Sequence, residues 1–175
     1  MAGHSKWKQI KHHKGVIDKK RSRLFSKLAN IISIAAKKEP DPQFNPTLRS
    51  AIERAKAANL PQANIERAVK RAEESKDLEE LTLEIYGPEG SGLLVQAVTD
   101  NRNRTTNEIR ALLKDFDAKL GHPGSLQWSF EKDGDDYKPK FPQAVQEDAK
   151  EKIQALIEAL EEREDIKEIY TNIKN

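Results

Sequence analysis

The spacing of the apolar residues changes near residue 81, and this change limits the fold more than any other feature of the chain. Before it, apolar residues recur three or four positions apart, which is the period of a helix with one buried face. After it, the stretches LTLEIYG and SLQWSFE alternate apolar and polar residues, as strands do. The sequence therefore predicts an α+β protein, with a helical domain over residues 1–77 and an α/β domain over residues 78–175.

Three helices are predicted in the first domain. The first runs from about Lys19 to Lys38, the second follows the N-cap signal Asn45-Pro46, and the third follows Pro61. The residues ahead of Lys19 have few apolar anchors to offset their ordering entropy. We expect them to form an extended or disordered basic arm, with residues 1–20 mobile in the free protein and ordered on binding.

The second domain begins with a predicted hairpin, in which GPEGSG joins LTLEIYG to LLVQAVT. A helix follows, with Thr105 or Thr106 as its cap, and then strands at SLQWSFE and at YKPKF, the second an edge strand because of Pro139. A helix over residues 143–163 and a last strand at IKEIYTNI complete the domain. This order contains a β-α-β-β-α-β core, the ferredoxin-like arrangement.

The alternation in SLQWSFE places Leu126, Trp128 and Phe130 on one face of the predicted strand. We expect Trp128 and Phe130 in the core of the second domain, against Leu112 and Leu156.

The positive charge of the chain is concentrated at its start. The net charge is only +2, but the first 28 residues hold nine Lys or Arg and a single acid, Asp18. Residues 1–76 carry 18 Lys and Arg against 7 Asp and Glu, whereas residues 77–175 carry 13 against 22. Such a start is a targeting peptide, a solvated basic tail or a nucleic-acid-binding arm.

The targeting alternative lacks its sequence signals. No apolar stretch of secretory type precedes Leu24, and the start is rich in Lys rather than in Arg and Ser. No run of eighteen apolar residues predicts a membrane helix, and the chain has no cysteine for a disulfide or a thiolate site. We expect a cytoplasmic protein without a cleaved leader.

Catalytic and metal-binding patterns are missing from the sequence. His4, His12 and His13 have no neighbouring acid to orient them, and adjacent histidines point apart on a helix or a strand. The glycines of GPEGSG lack the Lys-Ser/Thr of a phosphate-binding loop. We therefore expect no enzyme, metal, cofactor or small-molecule substrate.

Nucleic acid is the partner that the basic start fits best, because Lys and Arg neutralise phosphates and release counterions. Trp7 either stacks on an unpaired base or folds back onto the helical domain. The candidate binding residues of the arm and first helix are Lys6, Trp7, Lys8, Lys11, His12, His13, Lys14, Lys19, Lys20, Arg21, Arg23 and Lys27.

A second candidate is the loop Asn101, Arg102, Asn103 and Arg104, which precedes a predicted helix start. Free N–H groups and the helix dipole favour an anion there, and two arginines add bidentate phosphate contacts. The alternative is a structural turn in which Asp100 or Asn103 caps the helix.

Several blocks resemble one known family. MAGHSKW, KKRSRLFSKL, NPTLRSAIERAKAANLPQANIERAVKRA, YGPEGSGLLVQAVTDNRNRT and YTNI together are similar to the YebC/PmpR family, relatives of the mitochondrial translational activator of cytochrome oxidase subunit I. Members are described as DNA-binding transcriptional regulators and as ribosome-associated translation factors that assist peptide-bond formation at proline-rich stretches. The resemblance implies a non-enzymatic role in transcription or translation regulation.

The sequence departs from the family pattern in its second half. Members usually carry a third domain inserted after the strand that here reads SLQWSFEKDG, and the resemblance implies that it is absent near residues 134–137. Two partners stay open: RNA, as rRNA or tRNA on the ribosome, or duplex DNA. An irregular arm with one aromatic residue favours a structured RNA cavity, since duplex readout usually relies on a helix with base-reading side chains.

Overall fold

The computed structural model of the chain describes residues 3–75, 77–134 and 136–174. Its helices and strands are, in chain order, α1 Gly3–Ala36, α2 Pro46–Ala57, α3 Gln62–Glu74, β1 Glu79–Tyr86, β2 Gly92–Thr99, α4 Arg102–Leu113, β3 Lys119–Leu120, β4 Phe130–Asp133, β5 Asp136–Pro139, α5 Glu147–Glu161 and β6 Ile166–Thr171.

Helix α1 is much longer than the sequence predicts. It begins at Gly3 rather than near Lys19, so the expectation of an extended or disordered arm is wrong in conformation. The basic segment holds no proline, and Gly15 is its one glycine after the first helical position. Lysine, arginine, glutamine and isoleucine all tolerate a helix, so the backbone continues without a break. The mobility of this segment stays a prediction.

The other two helices start where the sequence predicts. Asn45 caps α2, with its side-chain oxygen accepting from the Leu48 N–H at 3.0 Å, and Pro46 takes the first helical position. Helix α3 follows Pro61. The three helices share one core of residues that include Leu28, Ile32, Ala35, Ala36, Leu48, Ala51, Ala55, Leu60, Ile65, Ala68 and Ala72.

The second domain is built on a four-stranded antiparallel sheet in the order β3-β1-β2-β6. Helices α4 and α5 cover one face, where Ile109, Leu113, Leu156 and Leu160 pack on alternate residues of β1 and β2. A helical domain followed by an α/β domain confirms the expected fold class.

Two of the strands after α4, β4 and β5, do not join this sheet as the predicted order requires. The edge strand beside β1 is instead β3, a segment of two residues, which is too short to show an alternation of apolar and polar residues. Strands β4 and β5 pair with each other in a separate two-stranded sheet, from Phe130 opposite Pro139 to Asp133 opposite Asp136. Pro139 therefore lies in an edge position, as expected for proline.

The second face of the sheet is covered by the segment before β4. Glu84 projects from this face of β1 and is buried, and its carboxylate accepts from the N–H groups of Gly124, Leu126 and Gln127 at 2.5, 2.5 and 2.9 Å. Three amide donors satisfy a carboxylate that would otherwise be costly to bury. They also fold this segment into a turn.

That turn overturns the expected strand at SLQWSFE. Gln127–Ser129 is a short 3₁₀ helix, and β4 starts only at Phe130. Leu126 and Phe130 are buried with Leu94, whereas Trp128 is 63% exposed. The prediction that Trp128 packs in the core is wrong, because the turn rotates its side chain away from its two neighbours.

Candidate nucleic-acid interface

The side chains of α1 that the structure describes before Arg23 are all exposed. The exposed residues of α1 include Ile17 and Leu24, at 52% and 46%, and the first buried residue along the described side chains is Leu28. At 1.5 Å per residue the 34-residue helix is about 51 Å long. It is therefore more than twice as long as α2 or α3, which have 12 and 13 residues, and Asp18 and Arg21 near its middle line a groove with Asn64 of α3.

Three consecutive cations lie within residues 15–22 of α1, which we call the free segment. Lys19, Lys20 and Arg21 are all exposed, and none of the ion pairs formed among the described side chains includes them. Consecutive helical residues are about 100° apart around the axis, so the three side chains spread charge over more than half of the helix circumference.

The next two basic residues of α1 turn towards the α/β domain instead. Arg23 lies 3.9 Å from Glu162, a pair in which the arginine side chain is 20% exposed. Burial lowers the pKa of the Lys27 ammonium, and the negative charges of Glu161 and Glu168 partly oppose this shift. Both cations have acidic neighbours at the domain interface and are less available to phosphate than Lys19, Lys20 and Arg21.

The side chains of the remaining arm candidates lie outside the described residues. This holds for Lys6, Trp7, Lys8, Lys11, His12, His13 and Lys14, whose backbone belongs to α1. Both alternatives for Trp7, stacking on an unpaired base and packing on the helical domain, therefore stay predictions.

The loop before α4 begins its helix earlier than predicted. Asn101 is the N-cap, with its side-chain oxygen accepting from the Arg104 N–H at 3.0 Å, so the expected cap at Thr105 or Thr106 is wrong. Thr105 is buried, and its hydroxyl lies 2.9 Å from Thr99 Oγ1 and 3.0 Å from Asp165 Oδ2. An asparagine cap leaves this threonine free to anchor the first turn to the sheet.

Both arginines of this loop are paired with acids. Arg102 Nη2 lies 2.8 Å from Glu79 Oε2, and Arg104 Nη2 lies 2.7 Å from Asp100 Oδ1. The hydrogen bond from Arg102 lowers the pKa of Glu79 and raises that of Arg102 itself. Asn103 is exposed beside them. The loop is a structural turn, but its cap is Asn101 and not the expected Asp100 or Asn103, and phosphate binding by its arginines stays a prediction.

The structure does not bring the two basic elements to one point. Arg104 lines a cleft of about 320 Å³ between the domains, on which Asn30 of α1 also lies. Asn30 is nine residues beyond Arg21, or about 14 Å along the helix axis. The exposed cations of α1 and the arginines of the α4 loop therefore form two separate basic regions.

Sequence reasoning missed two further arginines of this cleft. Arg71 donates to the Asn30 side chain at 3.0 Å, and Arg163 pairs with Glu108 at 2.6 Å and with Asp165 at 2.8 Å. Both reside in ordinary charged stretches of the sequence, and no local pattern distinguishes them. Arg71 thus links α3 to α1, and Arg163 links the segment after α5 to Glu108 of α4.

The described residues offer neither a membrane-spanning helix nor a metal-binding cluster. No described helix is long and apolar enough to cross a membrane. No group of three or more His, Cys, Asp or Glu side chains among the described residues is arranged to hold a metal ion.

Comparisons with known proteins match nearly the whole chain. Residues 5–75 match the family profile described as the TACO1/YebC protein N-terminal domain, and residues 78–135 match the one described as the TACO1/YebC second and third domain. The crystal structure of a conserved hypothetical protein from Aquifex aeolicus is similar, with a TM-score of 0.82 and 30% identity over 88% of this chain and 90% of that chain.

Three similar proteins carry the name "Probable transcriptional regulatory protein". The relative from Persephonella marina is 43% identical over all of this chain and 75% of its own length. The relative from Petrotoga mobilis is 43% identical over all of this chain and 72% of its own length, and that from Fusobacterium nucleatum is 49% identical over 77% of this chain and 55% of its own length. The chain thus spans 55% to 75% of these relatives. It belongs to the TACO1/YebC family.

Proposed function

We propose that the protein is a non-enzymatic, nucleic-acid-binding regulator of gene expression in the cytoplasm. In this proposal it acts as a ribosome-associated translation factor, which binds rRNA or tRNA through α1 and assists peptide-bond formation at proline-rich stretches. The family resemblance supports the translation role, and the names of the relatives support a regulatory one.

The observation that carries nucleic-acid binding is the set Lys19, Lys20 and Arg21. These cations are exposed and adjacent on a 34-residue helix, and Arg21 also lines a groove with Asn64 of α3. Because they spread around the helix, phosphates on two sides of a groove or cavity reach them at once. Releasing the counterions of several phosphates supplies most of the affinity of such contacts.

Duplex DNA is a second candidate that one observation favours. From Gly3 onward the basic segment is a continuous helix, and a helix does not favour RNA over DNA as an irregular arm would. The major groove of B-DNA is about 12 Å wide and admits a helix, whereas that of A-form RNA is too narrow and deep for side-chain readout. The names of the relatives, which refer to transcriptional regulation, agree with a DNA role.

The test compares binding of the intact chain to a stem-loop RNA and to duplex DNA between 50 and 200 mM salt. The variant Lys19→Gln/Lys20→Gln/Arg21→Gln removes up to three phosphate contacts, so the slope of log affinity against log salt falls by about 2 on a single strand and slightly more on a duplex. A matched control, Lys56→Gln/Lys114→Gln/Lys150→Gln, removes three exposed cations elsewhere and leaves the slope unchanged.

Sedimentation then separates the two partners. Co-migration with ribosomes at moderate salt, lost in the α1 variant, supports the translation role. Free migration together with tighter binding to duplex DNA supports the transcription role. Equal slopes for the α1 variant and its control would contradict nucleic-acid binding by α1.

A further inference from the structure

Two large aromatic side chains are exposed side by side in the second domain. Trp128 is 63% exposed and Phe141 is 61% exposed, with ring centroids 5.9 Å apart and planes tilted by 52°. Phe141 lies just past the end of β5, and Trp128 lies just before β4. We define these two residues as the aromatic pair.

The aromatic pair is held in place by the backbone beneath it. The Lys140 N–H donates to the Ser129 carbonyl at 2.9 Å, which extends the β4–β5 pairing up to the two rings. The Trp128 indole N–H donates to the Ser125 carbonyl at 2.8 Å. Because its one polar group is already used, the indole offers a partner only its ring faces and edges.

The charges around the pair leave cations available. Asp133 forms an ion pair with Lys138, and Asp136 accepts from the Tyr170 hydroxyl at 3.1 Å. Lys132 and Lys140 are exposed, and no ion pair among the described side chains includes either. Glu131 is likewise exposed and outside these ion pairs, but Lys140 directly precedes Phe141 in the chain. An aromatic surface with a lysine next to it is the arrangement by which proteins hold single-stranded nucleic acid.

The small size of the patch argues against a protein partner. The exposed large apolar residues of the described chain include only these two in this region, since Ile17, Leu24 and Phe44 lie in the helical domain. Protein-binding surfaces usually join several such residues into a patch of a few hundred Å². A single nucleobase needs no more than a ring to stack on.

We propose that the aromatic pair stacks on an unpaired base of a single-stranded or looped nucleic acid. This inference rests on the proposed function and sharpens it, because a paired base inside a duplex presents no face to a protein ring. A site for an unpaired base makes looped RNA the better partner.

The test uses Trp128 as its own reporter. The chain has two tryptophans, so the variant Trp7→Phe leaves Trp128 as the one indole. We expect a twelve-nucleotide oligoadenylate RNA to quench its fluorescence on binding, and a twelve-base-pair DNA duplex to bind without this quenching. Titration with labelled oligoadenylate, followed by anisotropy, measures affinity in parallel.

Alanine variants measure what stacking contributes. Trp128→Ala and Phe141→Ala each weaken oligoadenylate binding by about 5- to 150-fold, the range for loss of one stacked base, and leave duplex binding unchanged. Trp128→Phe retains a ring and most of the affinity, which guards against a folding artefact. The matched control Phe44→Ala removes a ring that is 76% exposed on the other domain, and it changes nothing.

The outcomes separate this inference from the proposed function. If the fluorescence is not quenched and both alanine variants keep their affinity, the stacking site is wrong. A protein would then be the partner of the aromatic pair. Failure of the intact chain to bind either nucleic acid overturns the proposed function itself. If both are right, Lys19→Gln/Lys20→Gln/Arg21→Gln weakens both ligands, whereas Trp128→Ala weakens only the single strand.

Discussion

The free segment of α1 and the start of α4 contain the same kinds of basic residues in opposite surroundings. Lys19, Lys20 and Arg21 face solvent without an acid partner among the described residues, whereas Arg102 and Arg104 each hold a carboxylate within 2.8 Å. A phosphate that binds α1 displaces only counterions and water. One that binds the α4 loop also has to replace an existing ion pair, so equal charge does not mean equal affinity.

The fold itself supplies the acids of the α4 loop. Glu79 opens β1 and Asp100 follows β2, and these strands pair along their whole length, with Glu79 opposite Thr99. Both carboxylates therefore sit at the edge where α4 begins. We expect this loop to fix the position of a bound nucleic acid more than to add affinity, because phosphate contacts of this kind set register.

The largest effect is expected from deleting residues 1–14, which removes four lysines and Trp7. At about 0.7 per contact on a single strand, the slope of log affinity against log salt should fall by up to roughly 3. Binding to RNA measured between 50 and 200 mM salt checks this. An unchanged slope would mean that these lysines are a solvated tail, and the contrast between the two regions would then rest on Lys19, Lys20 and Arg21 alone.

Removing the acidic partners of Arg102 and Arg104 should let the α4 loop bind phosphate as the exposed cations of α1 do. In Glu79→Gln/Asp100→Asn the two arginines lose their partners and become available to two phosphates, so the salt slope should rise by up to about 1.4. The same titration measures it, with Glu53→Gln/Glu66→Gln as a control that removes two exposed acids elsewhere. A rise no larger than in the control would show that ion pairing does not restrain the arginines.

The converse variant should have a smaller effect on affinity. Arg102→Gln/Arg104→Gln removes arginines that are already paired, so we expect the slope to change by less than about 0.7. If the loop positions the ligand, the variant still binds but loses activity in a translation assay on proline-rich messages. Loss of binding as large as that of the deletion would refute the distinction between affinity and positioning.

A stability effect of about 1 kcal/mol is expected at Gly15. A Cβ built there meets no heavy atom within 4 Å, so Gly15→Ala should increase the helicity of α1 without a clash. Because the free segment has few packing partners, its helix depends on residue propensity. Circular dichroism and amide exchange over residues 3–24 measure the change. Gly90→Ala is the opposite control, since its φ of +73° disfavours alanine, and we expect it to destabilise.

The smallest effect concerns the titration of Glu79. Its pKa is lowered by the hydrogen bond from Arg102, so the pair contributes stability above the ordinary pKa of the carboxyl and loses it as pH falls through the lowered value. Arg102→Gln should raise the pKa of Glu79 towards its ordinary range. Carboxyl NMR titration measures this, and Arg104→Gln, which leaves the pair intact, should not shift it.

Local patterns predicted most of the helical elements, since the signals that place them are short-range. The cap at Asn45 and the proline after it set the start of α2. The start of α1 was missed because an apolar stripe was used as the sign of a helix. Its basic segment has no such stripe, and yet contains nothing that stops a helix.

Long-range contacts explain the larger errors. Glu84 alternates like a solvent-facing residue of β1, but three amides about forty positions away meet its carboxylate and turn the backbone before β4. The exposure of Trp128 follows from that turn and not from its neighbours in sequence. The pairing of Arg102 with Glu79 likewise joins residues 23 positions apart. The sequence therefore shows the basic residues of the candidate site, but not the ion pairs that its arginines form.

The β4–β5 hairpin bears on where an additional segment could be inserted into this domain. Its two strands pair with each other rather than with the main sheet, and Asp133 lies directly opposite Asp136 at the tip. A segment of any length that leaves after one of these residues and returns at the other starts and ends at nearly the same point. A segment inserted at this tip would leave the registers of the four-stranded sheet unchanged, because β4 and β5 do not pair with it.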